Sequence, residues 1–397
     1  MTSMAAKFRA EALDSTTTTL QGLAFTCALQ ETLMLGGALN VAFENNRAQQ
    51  AALLGLSGVL EIVAVPVLGR LSDEVGRRTV LAGCAGAMAS TRLLTGVLGT
   101  TALSPAALDL VLVTALSSGF AVTSRALLVD FTDSDAELAR ALLRVALAGT
   151  AGATLGPGLG MALAHYSDSK LRVPYMVAGV VAAGVSLASL VRLEDKPAAA
   201  TTKDDDLIAW TPFALGRLVA AVPSRLIVAA AMQFVVSTEP ARQVVETLAR
   251  VRFGASRTVL VRLFVAQALS SIVGLGFALH MLKRTALRQF TLYATAFKVA
   301  SGVLLAAVPP GPSVDAVLAL SVLLDVFALR GHAEAEAALL RARPGNNGET
   351  SASLSNMHTA SSMLTSVALG ALGETSDARA PLVVVSGLAA TAMALMR

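Results

Sequence analysis

Apolar runs about as long as a membrane is thick recur along most of this chain of 397 residues. A helix needs roughly 20 mostly apolar residues to cross the hydrocarbon core of a bilayer. Charged residues make up 15% of the sequence and hydrophobic residues 54%, whereas an average soluble domain carries about 25% charged residues. The chain is therefore predicted to be an all-α membrane protein that crosses the bilayer many times.

We predict twelve transmembrane helices, each centred on one apolar run. In chain order they cover residues 20–42, 51–69, 78–99, 106–129, 138–164, 172–191, 225–248, 258–281, 287–308, 313–331, 351–372 and 380–396. A polar, Pro- and Ala-rich stretch after the sixth helix predicts a linker between two pseudo-symmetric six-helix bundles. The predicted order is a cytoplasmic N-terminal segment, the first bundle, a cytoplasmic linker and the second bundle, with ranges 1–19, 20–192, 193–224 and 225–397.

Lys and Arg residues are unevenly distributed between the two sets of connecting segments. If the N-terminus lies inside, the inside segments hold most of them, which the positive-inside rule favours. Both termini are therefore predicted to be cytoplasmic, although Arg250, Arg252 and Arg257 depart from the pattern. Because the basic residues lie at the ends of the spans and not in one patch, nucleic acid is not expected as a partner.

The sequence shows no spacing that is typical of a metal or nucleotide site. Cys27 and Cys84 lie inside apolar runs, and the four histidines are far apart along the chain. A Gly-rich phosphate loop is also absent, so an ATP-driven pump is not expected. We predict no metal, no cofactor and no enzymatic activity, since a membrane enzyme would need reactive groups clustered at one depth.

Charges concentrate between the second and third predicted helices. The pattern there is Gly69-x-Leu-x-Asp73-x-x-Gly76-Arg77-Arg78. The two glycines permit a tight turn and a close approach of backbones, and the arginines offer fork-shaped donors for carboxylates. This pattern, at this place in a twelve-helix chain, resembles the signature of the major facilitator superfamily.

A second motif resembles one branch of that superfamily, the tetracycline/proton antiporter-like (drug:H⁺ antiporter) branch. The sequence "GATLGPGLG" in the fifth predicted helix matches an antiporter element at Gly152, Gly156, Pro157 and Gly160. Glycines at intervals of four form a smooth stripe along which another helix can pack closely. The proline removes one backbone hydrogen bond and can bend the helix.

A third stretch, "VDFTDSDAELARALL", resembles the segment after the fourth helix of these antiporters. The resemblance implies a latch in which Arg77 pairs with Asp130 and Asp73 contacts the end of the eleventh helix. The residues predicted to form this gate are Gly69, Asp73, Gly76, Arg77, Arg78, Asp130 and Arg140. One position departs from the branch: Val111 occupies the place in the fourth helix where proton-coupled members usually carry an arginine.

Polar side chains near the middle of the predicted spans are the candidates for a transport pathway. An ionisable group inside the bilayer is costly, so it is a functional candidate by default, although each such group can also be neutral or paired locally. Neutral amides can orient a cargo by hydrogen bonds. The predicted substrate or proton pathway comprises Gln30, Glu31, Glu61, Gln233, Gln267 and Asp325, and Glu31 is the predicted proton carrier.

These patterns predict a secondary active transporter of a small organic solute or drug, working by alternating access and coupled to protons by antiport. Its expected partners are the small-molecule substrate, protons and the lipid bilayer, and it is expected to be a monomer. Two alternatives remain open: an uncoupled facilitator of a metabolite, which Val111 favours, and a non-transporting receptor built on the same fold.

Overall fold

The computed structural model describes residues 2–33, 47–98, 103–165, 172–194, 218–220, 222–237, 257–307, 332–342, 346–375 and 380–395. The secondary structure within these ranges is helical. The first six helices are α1 (Thr2–Thr32), α2 (Arg47–Val75), α3 (Arg77–Leu98), α4 (Leu103–Phe131), α5 (Asp135–His165) and α6 (Arg172–Arg192). They are followed by α7 (Ser224–Ser237), α8 (Arg257–Leu282), α9 (Leu287–Ala307), α10 (Ala333–Leu340), α11 (Asn347–Thr375) and α12 (Ala380–Leu395).

Within the described ranges, six helical stretches are long and apolar enough to cross a membrane by length and composition. They are Gly55–Val75, Arg77–Leu98, Ala107–Phe131, Asp135–His165, Arg172–Arg192 and Val265–Leu282. Two shorter apolar stretches are found in α7 and α12. Large apolar side chains such as Val97, Val180 and Leu187 are more than half exposed, as expected of surfaces that face lipid.

The helix bounds agree with the predicted spans over most of the chain, and α2 extends past its predicted end at 69 to Val75. Three further places need comment. First, α1 begins at Thr2, so the predicted polar segment 1–19 is helical from Thr2 onward. Second, α7 ends at Ser237, and the remainder of the predicted seventh helix lies outside the described residues. Third, the predicted tenth helix, 313–331, lies entirely outside them, and the short helix α10 follows it.

The polypeptide divides into two compact units. Unit 1 comprises Met1–Asp133, Arg144–Leu218 and Leu340–Asn356, and unit 2 comprises Ser134–Leu143, Val219–Leu339 and Met357–Arg397. The beginning of α11 thus belongs to the unit that contains α1–α4. The predicted division of the chain into two bundles at the linker 193–224 stays a prediction.

Each unit has its own packing order. In unit 1, α3 packs against α4 and α6, α2 packs against α4, and α1 packs against α4 and α6. In unit 2, α12 packs against α7 and α9, and α8 contacts α9. Small residues at the contacts, such as Ala85, Ala126 and Ala178, are fully buried and let the helices of unit 1 approach closely.

Candidate functional site

The connection between α2 and α3 is one residue long. The predicted loop spanned 70–77, but α2 continues to Val75 and α3 begins at Arg77. The helix is extended by pairs one turn apart, including the Arg70–Glu74 contact of 2.9 Å. Gly76 ends it with a φ of 106°, a backbone conformation that favours glycine because other residues carry a Cβ. Asp73 and Arg77 therefore lie on two different helices, on either side of the single connecting residue Gly76.

The carboxylate of Asp73 binds the N-terminus of α11. Its Oδ1 accepts the backbone N–H of Gly348 at 2.9 Å, and its Oδ2 accepts that of Glu349 at 3.0 Å. The first N–H groups of a helix have no partner within the helix, and the helix dipole places positive charge there. A residue of α2 therefore acts as the N-terminal cap of a helix that follows about 270 residues later in the chain. Asp73 itself is 6% exposed.

Arg77 joins Asp73 to the end of α4. Its Nη2 lies 2.5 Å from Asp73 Oδ1, and its Nε donates to Asp130 Oδ2 at 3.0 Å. Asp130 also accepts a hydrogen bond of 2.6 Å from the side-chain amide of Asn347, the first residue of α11. Asp73, Arg77, Asp130, Asn347 and Gly348 are called the junction network below.

The backbones of α2 and α11 touch at two glycines. A Cβ added to Gly69 would lie 2.5 Å from the Gly348 carbonyl oxygen and 2.7 Å from Ala352 Cβ. A Cβ added to Gly348 would overlap the Gly69 carbonyl oxygen and approach Ser72 Oγ and the Arg77 guanidinium to 2.6 Å. Neither position has room for a side chain, so the two helices can approach this closely only because both residues are glycine.

Further contacts extend this packing along α11 and around the end of α4. Ser351 Oγ donates to the Val122 carbonyl at 3.0 Å, and the Asn356 amide donates to the Ile62 carbonyl at 2.9 Å. At the C-terminal end of α4, Arg341 donates to the Asp133 carbonyl at 2.6 Å. A cation is favourable there because the helix dipole places negative charge at that end.

The remaining members of the predicted gate are placed differently. Arg78 is half-buried in the first turn of α3, where the contacts to the junction network are made by its neighbour Arg77. Arg140 lies in α5, and its Nε donates to the Ala136 carbonyl one turn earlier in the same helix, at 3.1 Å.

The glycine stripe of α5 lies against α1. A Cβ added to Gly152 would overlap the Phe25 carbonyl oxygen, one on Gly156 would overlap the Thr32 hydroxyl, and one on Gly160 would overlap the Leu33 carbonyl oxygen. The stripe therefore brings the two helix backbones together as the spacing predicts. Helix α5 continues without interruption through Pro157.

A second polar group lies inside unit 1, around Arg92 of α3. Arg92 is 1% exposed, and its Nη1 donates to the Gln30 side-chain oxygen and, at 2.6 Å, to the Gln30 backbone carbonyl. Its Nε lies 3.6 Å from Oδ1 of Asp109 in α4, which is 3% exposed. The Gln30 amide nitrogen contacts the sulfur atoms of Cys27 and Met88 at 3.7 and 3.6 Å. A buried guanidinium is thereby paired with one carboxylate and two oxygens, as a buried charge requires.

Glu31 follows Gln30 but faces α4. Its Oε2 accepts a hydrogen bond of 2.7 Å from Ser117 Oγ, and its surface is partly accessible. It interacts electrostatically with Arg92, with Asp109 and with Glu61 of α2. Gln30, Glu31, Arg92, Asp109 and Ser117 are called the buried charge cluster below.

The other predicted pathway residues are distributed between the units. Glu61 is half-buried in α2 of unit 1. In unit 2, Gln233 of α7 is 4% exposed and Gln267 of α8 is half-buried. Asp325 lies outside the described residues.

Unit 2 gathers aromatic and acidic groups that are distant in the sequence. The ring of Phe234 lies 5.3 Å from the rings of both His332 and His358, measured between centroids. His332 also pairs with Glu336 across one turn at 3.5 Å. Burial raises the pKa of Glu334. The nearby Arg288 partly opposes this rise in pKa, and the negative charge of Asp135 adds to it. Among the described residues, no group of three or more His, Cys, Asp or Glu side chains is arranged to hold a metal ion.

Sequence reasoning missed several of these residues. Asn347 and Gly348 belong to the stretch "GNNGET", where small and polar residues before an apolar run indicate a helix start but not its partner. Arg92 was not among the predicted residues of the gate or the pathway. A charged residue near the middle of a span was the available signal, and Asp109 was the only acid in the next predicted helix before its final turn.

Comparison with known proteins agrees with this geometry. Residues 12–335 match the family model of the Major Facilitator Superfamily. No curated protein matches the chain. The human organic anion transporter MFSD10 (TETRAN) superposes with a TM-score of 0.78 at 19% identity, over 97% of this chain and 99% of that chain.

Two bacterial structures are also similar. FucP, the E. coli fucose:proton symporter, in the outward conformation has a TM-score of 0.76 at 13% identity, over 96% of this chain and 97% of that chain. A bacterial homologue of the iron transporter ferroportin has a TM-score of 0.73 at 14% identity, over 96% and 98%. At these identities the likeness shows the fold.

The predicted fold class is therefore confirmed, and so is the transporter class with its multi-pass membrane location. The family is one of transporters that carry small molecules and not of enzymes. With its sequence matched over most of its length and its fold shared with solved members, the chain belongs to the Major Facilitator Superfamily.

Proposed function

We propose that this protein is a secondary active transporter that exchanges a small organic solute for protons by alternating access. The observation that carries the proposal is the junction network, in which Asp73 caps α11 while Arg77 connects it to Asp130. The network acts as a latch that is formed in one state of the transport cycle and broken in the other, on the cytoplasmic face.

The chemistry of the junction network suits a contact that must open repeatedly. Its partners are two carboxylates, a guanidinium, an amide and backbone N–H groups, all of which water can solvate when they separate. The backbones meet at two glycines, which have no side chains to interlock when the helices separate. A latch with these properties closes firmly and still opens at modest cost.

Proton coupling is supported by Glu31. Its carboxylate lies inside a helix of unit 1 and accepts a hydrogen bond from Ser117, and an acid at such a place can carry a proton when the cavity opens to one side of the membrane. Val111 replaces the arginine that proton-coupled relatives carry on the fourth helix. However, Arg92 of α3 brings a guanidinium to Asp109, which lies two positions before Val111 on α4. A buried cation is therefore still present in the region of Glu31.

The species carried by transporters of similar fold suggest which compounds to test as cargo. The similar structures are of an organic anion transporter, a fucose:proton symporter and a homologue of an iron transporter. A test panel should therefore contain one organic anion, one hexose, ferrous iron and one cationic amphiphile of the drug type. Thermal unfolding of the purified protein with each compound at two pH values selects the ligand, because binding to the folded state raises its stability.

Transport itself is tested in proteoliposomes under an imposed pH gradient with the selected compound. The expected result is accumulation that follows the gradient in the wild type and loses this dependence in Glu31→Gln. Glu74→Gln is the matched control, since Glu74 makes an exposed pair with Arg70 outside the network.

The other readings give different outcomes in the same assay. Flux of the same size with and without the gradient, in the wild type, contradicts antiport and supports an uncoupled facilitator. Binding without flux supports a receptor.

A further inference from the structure

Among the described residues, Glu31 lies beside a buried pair of opposite charges. The buried charge cluster contains one cation, Arg92, and two acids, Asp109 and Glu31. Arg92 and Asp109 are 1% and 3% exposed, whereas Glu31 is partly accessible. The pair of Arg92 and Asp109, called the inner pair below, is thus shielded from water.

Burying an isolated charge is costly, so a buried cation holds whichever acid is available to it. With Asp109 at 3.6 Å, Arg92 is already neutralised. Arg92 is the cation that interacts with Glu31, and because Asp109 offsets its charge, Glu31 can become neutral by taking up a proton. Without Asp109, the same cation would hold Glu31 in its ionised form.

We propose that Asp109 is a positioning residue for proton coupling: by neutralising Arg92 inside unit 1, it leaves Glu31 able to gain and lose a proton. The inference rests on the proposed function, in which Glu31 carries the proton, and it adds the residue that makes this exchange possible. The proton comes from and returns to water on either side of the membrane, and no other bond is made or broken.

Groups from all described helices around Glu31 agree with this division of roles. On α1, Cys27 and Gln30 contact each other, and Gln30 holds the Arg92 guanidinium. On α4, Ser117 is the hydrogen-bond donor to Glu31. On α2, Glu61 is a further acid that interacts electrostatically with Glu31.

Two further groups lie near the inner pair. Tyr175 of α6 is 1% exposed and interacts electrostatically with Asp109 and Arg92. Cys84 of α3 is 2% exposed and interacts with Cys27. Both are neutral when protonated, so they do not change the charge count around Glu31.

The test follows the protonation of Glu31 without any cargo. The infrared band of a protonated carboxylic acid is recorded against pH for the full chain in lipid nanodiscs, and the Glu31 signal is isolated by subtracting the Glu31→Gln spectrum. Asp109→Asn is expected to move the midpoint of this signal at least about one unit to lower pH, since a nearby cation favours the charged acid by 1–3 units. Arg92→Gln is expected to move it to higher pH.

The double variant Arg92→Gln/Asp109→Asn separates charge from folding. It removes both buried charges together, so Glu31 again faces a neutral pair and its midpoint is expected to return to within about half a unit of the wild type. Because no unpaired charge is left inside, this variant remains informative if Asp109→Asn alone folds poorly. The Glu74→Gln spectrum serves as the control for a solvated acid on the surface.

The outcomes separate this inference from the proposed function. A wild-type Glu31 signal whose midpoint is the same in Asp109→Asn, or a double variant that stays shifted, overturns the role of Asp109 and leaves proton coupling intact. A wild-type protein without any Glu31 signal overturns proton coupling and this inference together. Opposite shifts in the two single variants, with recovery in the double variant, support both.

Discussion

The junction network and the buried charge cluster both pair arginine with carboxylates inside unit 1, but they use different partners. In the junction network, Asp73 is bound by two backbone N–H groups of α11 in addition to Arg77. In the buried charge cluster, Asp109 and Arg92 depend on each other, with Gln30 as the additional acceptor. One set of charges is anchored on the ends of helices, and the other on buried side chains of three helices.

This difference determines what each region can do. Helix ends lie near water, so a network built on them can be opened and its groups solvated. A pair in the middle of a helix bundle has no water to replace a lost partner, so it must stay intact while neighbouring groups change charge. The first arrangement fits a moving contact, and the second fits a fixed countercharge.

The largest expected effect is on stability, from breaking the inner pair. Arg92→Gln leaves Asp109 buried without its cation, which should lower the free energy of unfolding by about 3–5 kcal/mol. The double variant Arg92→Gln/Asp109→Asn should recover most of this loss. Thermal unfolding in detergent measures both, and a double variant as unstable as the single one would contradict the pairing.

A smaller effect is expected from filling the glycine contact of the junction network. Gly69→Ala places a methyl group against the Gly348 carbonyl and Ala352, which should disfavour the closed network by about 1–3 kcal/mol. Each 1.4 kcal/mol changes the ratio of open to closed network about tenfold. A cysteine introduced at Ser351, which is 0% exposed in the closed network, should therefore react faster with a maleimide in the Gly69→Ala variant than without it.

The matched control for this prediction is Gly55→Ala. Gly55 lies on the same helix, and a Cβ there meets nothing within 4 Å. Equal labelling of Ser351→Cys in both glycine variants would show that the contact at Gly69 does not hold the network closed.

Removing one charge of the junction network should have a more moderate effect. Asp73→Asn keeps an oxygen for one N–H of α11 but loses the attraction to Arg77 and to the helix end, at a cost of about 1–2 kcal/mol. The neighbouring exposed pair offers the comparison: Glu74→Gln should cost about 0.5 kcal/mol or less. The same maleimide assay reads both variants, and a Glu74→Gln effect as large as that of Asp73→Asn would contradict the special position of Asp73.

Much of the junction network could be predicted from the sequence because its residues lie within one short motif. Gly69, Asp73, Gly76 and Arg77 are close neighbours in the chain, and a helix break with a fixed spacing constrains where each side chain points. Their partners on α11 could be predicted only as a helix end. The identity of Asn347 and Gly348 depends on the register of two helices that are far apart in sequence.

The buried charge cluster could not be assembled from the sequence for a related reason. Arg92, Gln30 and Asp109 lie on three helices, and hydropathy places each at a depth but gives no rotation about its helix axis. Glu31 was identified because an acid inside a span is costly. Its neighbour Gln30 was identified as a possible cargo ligand, and the structure instead shows it holding Arg92.

The smallest expected effect compares a cation at the end of α4, beside the junction network, with the cation of the buried charge cluster. Arg341 contacts the carbonyl oxygens of Thr132 and Asp133 at the end of α4, in a partly exposed position. Arg341→Met should therefore cost about 0.3–1 kcal/mol at low ionic strength. At 1 M salt, where the Debye length is about 3 Å, this cost should largely vanish, while the loss in Arg92→Gln should persist because Arg92 is 1% exposed. Thermal unfolding at the two salt concentrations measures both differences. A salt-independent loss in Arg341→Met would contradict the electrostatic role of this arginine at the exposed end of α4, and a salt-dependent loss in Arg92→Gln would mean that water reaches the inner pair.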